Sequence, residues 1–311
     1  MAGRNLATNQ QINSIEFDEK LVFPKYGFYA CQRLKPKMET MAPATTVPIV
    51  NKSKFGKLEI PLPPLPEQRR IVAILEKADA LRSKRREALA QLDRLAQSIF
   101  VEMFGDPATN PKGWPESITL GEVADIVSGV TKGRKLEGKV TREVPYLTVA
   151  NVQDMRLNLE VVKKIEATAD EIRRYALQEG DLLLTEGGDP DKLGRGTLWH
   201  RELPECIHQN HVFRVRLTSH SLTPYFLNWL VGSQRGKRYF LKSAKQTTGI
   251  ASINMTQLRG LPLLMPPLAL QRDFEEAIGV LKRNKHRMLS AATSCEAMFA
   301  SLQHRAFRGE L

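Results

Sequence analysis

The chain has 311 residues, 42% hydrophobic and 26% charged, a composition that supports a buried core and excludes a disordered polar segment. Lys and Arg outnumber Asp and Glu by 46 to 34, a formal net charge of +12, so the folded surface attracts polyanions, nucleic acid foremost. Cys31, Cys206 and Cys295 are too few and too far apart for a disulfide framework or a CxxC metal site. No apolar run is long enough to span a bilayer, and MAGRNLATNQQ lacks a signal-peptide core, so a cytoplasmic location without membrane contact is expected.

Taken in chain order, residues 1–60 are mixed in character, and the first strong signal is the phrase PPLPEQRRI at residues 63–71. It returns 203 residues later as PPLALQRDF at 266–274. A phrase stated twice marks a repeated unit. Upstream, Asn51, Phe55 and Leu58 match Asn254, Leu258 and Leu261 at the same offset, and NQQINSIEF (9–17) resembles HQNHVFRVR (208–216) at a slightly shorter one. Residues 1–60 therefore read as the end of a first globular copy.

Residues 61–107 predict a long helix from Pro66 to Phe104, with proline and glutamate suited to its first turn and Gly105 and Pro107 to its end. Alternating steps of three and four pick out Ile71, Ile74, Ala78, Leu81, Arg85, Ala88, Leu92, Leu95 and Ile99. The same positions in the second copy, residues 266–311, are Phe274, Ala277, Leu281, Asn284, Met288, Ala291, Cys295, Met298 and Leu302. Such a helix is on the order of 54 Å long, more than one globular core requires, so pairing between the two helices is expected. Arg85 and Asn284 interrupt their stripes near the middle, where an antiparallel pair would bring them into one polar layer.

Residues 108–265 change to short Val-, Ile-, Leu- and Thr-rich runs bounded by Gly, Asn and Asp. ITLGEVADIVSG, VPYLTVANVQ, GDLLLTEGG, GRGTLWH and HVFRVRL suit strands, and a helix follows Thr223-Pro224. The expected fold class is α+β, with a mixed domain between two long helices.

Within that domain, GRKLEGKV (133–140) has the G-x-x-x-x-G-K spacing of a phosphate loop, but Val140 stands where a magnesium-binding hydroxyl belongs. Thr131, Lys132, Arg134, Lys135 and Lys139 suit a DNA-facing loop, in which cations neutralise phosphates and one Arg forks onto a guanine edge; an exposed loop with no partner is the alternative. His208 and His211, three apart on a strand, point to opposite faces and are poorly placed to share a metal. Gln209, Asn210 and His211 suit either base edges or backbone pairing in a strand-edge turn. Lys242, Lys245, Gln246, Thr247 and Thr248 suit a loop that grips phosphates and tests a base. No Asn-Pro-Pro-Tyr, Asp-Pro-Pro-Tyr or HExxH motif and no nucleophile elbow is present, and Asp189, Asp191 and Lys192 only weakly echo a nuclease motif.

Together the phrases IPLPPLPEQRRIVAIL, SGVTKGRK, VPYLTVANVQD, EGDLLLTEGG, HQNHVFRV and SLQHRAFRGEL resemble the specificity subunits of type I restriction-modification systems. The resemblance implies two target-recognition domains alternating with long helices packed antiparallel as a spacer. It also implies a non-catalytic reader of a bipartite double-stranded DNA target that docks methyltransferase subunits and, through the complex, restriction subunits. S-adenosylmethionine, ATP and Mg would serve those partners and not this chain. It places the region around Lys245 near DNA. The family's first recognition domain begins well before Met1, so the chain is expected to be either a truncated product or a half-subunit that pairs as a homodimer on a symmetric target. A fragment of a fused restriction-modification enzyme and a scaffold that no longer binds DNA are the rival readings.

Overall fold

The computed structural model describes residues 7, 9, 12, 14–41, 50–188, 193–247 and 250–311, with only the backbone of 245–247 and 250. In chain order, α1 (Pro24–Gln32), α2 (Lys35–Met41) and α3 (Lys52–Phe55) precede the long α4 (Leu65–Phe104). There follow β1 (Ile118–Thr119), α5 (Leu120–Val123), β2 (Ala124–Ser128), β3 (Thr141–Leu147), β4 (Val152–Gln153), β5 (Arg156–Leu157), β6 (Lys163–Thr168) and α6 (Ala169–Tyr175). Next come β7 (Leu182–Thr185), β8 (Gly187–Gly188), β9 (Gly196–Leu198), β10 (Ile207–His208) and β11 (Val212–Leu217). The chain ends with α7 (Pro224–Gly232), α8 (Gln234–Ser243), β12 (Lys245–Thr247), β13 (Ile250–Ser252), α9 (Met255–Arg259), β14 (Pro262–Leu263) and the long α10 (Leu268–Ala306). The helix expected after Thr223-Pro224 is two helices, because the chain is extended at Ser233, with ψ at 170°.

The chain divides into two compact units, Met1–Asp93 with Arg283–Leu311, and Arg94–Lys282, so each long helix contributes to both. In the second unit the central sheet runs β2-β11-β7-β9, antiparallel throughout, beside a β10-β3-β6 sheet and a β12-β13-β8 sheet. Its core gathers Phe100 and Phe104 of α4, Phe226 of α7 and Phe274 of α10, with the Phe104 and Phe226 rings 4.7 Å apart. The first unit repeats this arrangement in miniature. Tyr26 and Tyr29 of α1 pack with Ile71 and Leu75 of α4 and with Phe299 and Phe307 near the end of the chain, the Tyr26 and Phe307 rings 5.2 Å apart.

The repeated phrase has a physical task that its two buried glutamines disclose. Gln68 is fully buried, donates to the carbonyls of Leu21 and Pro63, and accepts from the Phe23 N–H at 2.8 Å. Gln271, 203 positions on and equally buried, donates to Ser221 and Pro266 and accepts from Thr223 N–H at 2.8 Å. An amide can be buried only if its donors and acceptor are filled, and here one side chain satisfies three main-chain groups at once. Each glutamine thereby locks the start of a long helix to the segment that leads into α1 or α7. The matching asparagines act alike: Asn51 and Asn254 cap α3 and α9 by accepting from Lys54 and Gln257 N–H.

The long helices run antiparallel in the first unit, where Arg70 near the start of α4 donates to the carbonyl of Leu311, Arg86 to Glu296 at 2.7 Å, and Asp93 meets Lys285 at 2.5 Å. The stripe that is buried differs from the one read from the sequence. Ile71, Ala78 and Phe274 are buried and Arg85, Leu92, Leu281, Met288 and Leu302 half-buried, but Ile74 is only half-buried, and Leu81, Leu95, Met298 and Asn284 are exposed. The positions one residue later are the more buried at Leu75 (0% exposed), Arg82 and Ala96 on α4 and at Ile278, Lys285 and Phe299 on α10, while Ala88 and Leu89, like Ala291 and Ala292, are equally half-buried.

The polar layer accordingly forms at Arg82 and not between Arg85 and Asn284, for which no cross-helix bond exists among the described residues. Arg82 lies 4.1 Å over the Phe299 ring and pairs with Glu296 at 2.6 Å. Arg82 and Lys285 are equivalent in the repeat, as are Asp93 and Glu296. The ion pairs Arg82–Glu296 and Lys285–Asp93 are therefore two copies of one contact, as an antiparallel pairing of equivalent helices requires.

Candidate nucleic-acid interface

Three segments singled out in the sequence converge on one edge of the second unit, linked by main-chain hydrogen bonds. The loop after β2 begins at Gly129, where a Cβ would lie 1.9 Å from the His208 carbonyl oxygen, so only glycine permits the approach. Val130 N–H donates to that same carbonyl at 2.8 Å, and Asn210 N–H returns a bond to Val130 O at 3.0 Å. From the 208–211 turn the ladder continues as Glu186 N–H donates to His211 O at 3.0 Å and Ile253 N–H to Glu186 O at 2.9 Å. Beyond it, β8 pairs with β13 and β13 with β12, placing the backbone of Lys245 opposite Ser252.

The side chains on this edge fall into two groups. Thr131, Lys132, Lys135 and Lys139 are exposed on the loop, and Lys242 is exposed near the end of α8. Arg134 departs from the expectation. Its Nε and one NH2 hydrogen bond Glu171 at 2.5 and 2.8 Å, and other N–H groups reach the carbonyls of Glu166 and Thr131. The fork that would read a guanine is closed on α6, where it holds the Glu171 carboxyl down to about 2. Gln209 and Asn210 are half-buried at the turn. The side chains of Lys245, Gln246 and Thr247 lie outside the described residues, as do Thr248, Asp189, Asp191 and Lys192.

His208 is fully buried, with Nδ1 2.7 Å from Val212 O, and burial pushes its pKa down to about 4. His211 faces outward and meets Glu186 Oε2 at 2.5 Å through Nδ1. The two histidines thus serve separate tasks. Glu186 was missed in the sequence, where it is one acidic residue after a strand; its partner lies 25 residues away.

Not all of the basic excess faces solvent. Arg214 of β11 is 4% exposed and holds Asp125 at 2.6 Å, and Arg216 forks onto Asp181, which is 1% exposed. These cations hold the sheet to its surroundings.

The model of the type I restriction modification DNA specificity domain matches residues 1–92 and again 111–278. The chain belongs to this family. Two matches in one chain accord with the repeated glutamine lock and the twin ion pairs. Among family members, the chain is similar to the specificity subunit of the type I restriction enzyme StySPI of Salmonella potsdam, 25% identical across 94% of this chain and 66% of that one. It is similar also to the EcoKI specificity subunit of Escherichia coli K12, 23% identical across 94% and 67%. The chain thus spans about two thirds of the length of these relatives. Among solved structures, the family fold is shared with a chain from a type I R-M system studied for its complex assembly and conformational transition (TM-score 0.60, 21% identity, 96% of this chain and 74% of that one). The type I S subunit of M. genitalium also shares it (TM-score 0.52, 17% identity, 93% and 74%). No helix among the described residues is long and apolar enough to cross a membrane.

Proposed function

We propose that the chain is a non-catalytic, sequence-specific DNA-recognition subunit of a type I restriction-modification complex, serving in the cytoplasm in defence against foreign DNA. Residues 108–265 read one half of a bipartite duplex target, residues 1–60 are the end of the first reader, and the helices of 61–107 and 266–311 set the spacing and dock methyltransferase subunits. Restriction subunits join through the complex, and S-adenosylmethionine, ATP and Mg act in those partners.

The observation that carries this reading is the linking of the loop that begins at Gly129, the turn at 208–211 and the β12–β13 pair along one edge, with Lys132, Lys135 and Lys139 exposed on that loop, Lys242 exposed just before β12, and Gln209 and Asn210 half-buried at the turn. Exposed lysines beside half-buried amides suit a duplex, since cations meet phosphates and amides meet base edges. On this reading Thr131, Lys245, Gln246 and Thr247 also face the duplex.

The test is co-expression with a type I methyltransferase subunit, followed by mapping of methylated sites and duplex binding over a salt series. A defined bipartite methylation pattern and salt-dependent binding are expected. A chain that binds neither methyltransferase nor duplex overturns the proposal, and one that binds methyltransferase alone is a scaffold. A palindromic target together with a two-fold assembly of this chain would identify a homodimer of half-subunits.

A further inference from the structure

Glu186 is an acidic residue at the meeting point of three segments proposed to face a polyanion. Main-chain bonds to His211 and Ile253 set its position from both sides. Its side chain is 34% exposed and accepts a hydrogen bond from His211 Nδ1 at 2.5 Å. Asn210 Nδ2 lies 3.3 Å from the other ring nitrogen, Nε2, and in the tautomer that carries its proton on Nδ1 this nitrogen accepts from the amino group.

Asn210 is also held through its backbone, its N–H on Val130 O and its carbonyl accepting from Ser128 Oγ at 2.6 Å. The relay from Glu186 through His211 to Asn210 therefore decides which way the amide faces. Among the described residues nothing else engages the Asn210 Oδ1 or the second hydrogen on Nδ2. An acceptor beside a donor in one plane is the complement of adenine in the major groove, which offers the N6 amino group and N7.

We propose that Asn210 reads an adenine in the major groove and that Glu186, acting through His211, is the positioning residue that orients it. The inference rests on the DNA-reading function proposed above and names the base that this part of the reader selects. It also gives a reason for a carboxylate on this edge: its repulsion of phosphates is accepted in return for a fixed amide.

The test is selection of bound sequences from a randomised duplex pool by the full chain, by its Glu186→Ala, Glu186→Gln and Asn210→Ala variants, with affinity for random duplex measured in parallel. Wild type is expected to select an adenine that Asn210→Ala and Glu186→Ala each select less strongly, by on the order of tenfold, at the same single position. Glu186→Gln, whose amide oxygen still accepts from Nδ1, is expected to retain it. Random-duplex affinity of Glu186→Ala is expected to be unchanged or higher, since a repelling charge is gone. Adenine selection intact in Glu186→Ala, or a uniform fall in affinity at every position, overturns the positioning role. A selected base other than adenine at the position that Asn210→Ala relaxes overturns the adenine assignment. Wild type that binds no duplex sinks the DNA-reading function itself, and this inference with it.

Discussion

Arg134 shows how a cation that looks free in sequence is consumed by its surroundings. Four of its five N–H groups are bonded within the chain, two of them to Glu171, so too few remain to grip a base bidentately. Because the folded Glu171 carboxyl is held down to about 2 from 4.5, the pair stabilises the protein above the unfolded value and this stability is lost as pH falls from 4.5 towards 2. Arg134→Met is expected to lose that acid-range component, read as a shallower decline of unfolding free energy over the same window in urea titrations. Gln271→Ala leaves two carbonyls and the Thr223 N–H without their buried partner, and a loss of about 2–4 kcal/mol is expected in chemical denaturation. Gln68→Ala is expected to act similarly on the first unit. None of these pairings has a local signature: Gln271 reads as one more polar residue in a helical first turn until the Ser221–Thr223 segment is seen beside it.

At the scale of the helix, the heptad was legible and its phase was not. Five of the nine stripe positions, Ile71, Ala78, Arg85, Leu92 and Ile99, belong to both phases, so the sequence had to choose between neighbours three and four residues on. Leu81 is apolar and Arg82 charged, and hydrophobicity favours Leu81. The folded helix does the opposite, because the Arg82 guanidinium stacks on the Phe299 ring and from there reaches Glu296, so one long charged side chain both covers apolar surface and finds its counter-ion. Thermal and urea unfolding of two alanine variants separates the phases. Leu75→Ala, at 0% exposure, is expected to cost about 2–5 kcal/mol, whereas Leu81→Ala, at 51% exposure, is expected to stay within about 1 kcal/mol of wild type. A larger loss for Leu81→Ala than for Leu75→Ala would favour the phase read from the sequence.

For the whole molecule, the question is how much of the +12 charge meets a duplex. Arg134, Arg214 and Arg216 are committed to carboxylates, while Lys132, Lys135 and Lys242 are exposed. Replacing each of these lysines with Gln is expected to weaken binding about equally for all sequences and to lower the log–log salt slope by about 1 apiece, measured by fluorescence anisotropy. The same substitution of Arg134 is expected to act through loop stability instead, with loss of affinity that tracks unfolding.

By itself the sequence determined the repeat, the two long helices, the strand-rich region between them and the family. These follow from patterns local along the chain: apolar periodicity, capping residues, turn residues and a phrase stated twice. Only the tertiary structure decided which face of each helix is buried, which arginines are spent within the protein and how Glu186 comes to orient Asn210 through His211. Each of those outcomes depends on a partner distant in sequence, and a charged side chain takes its role from the group it meets, which periodicity does not encode.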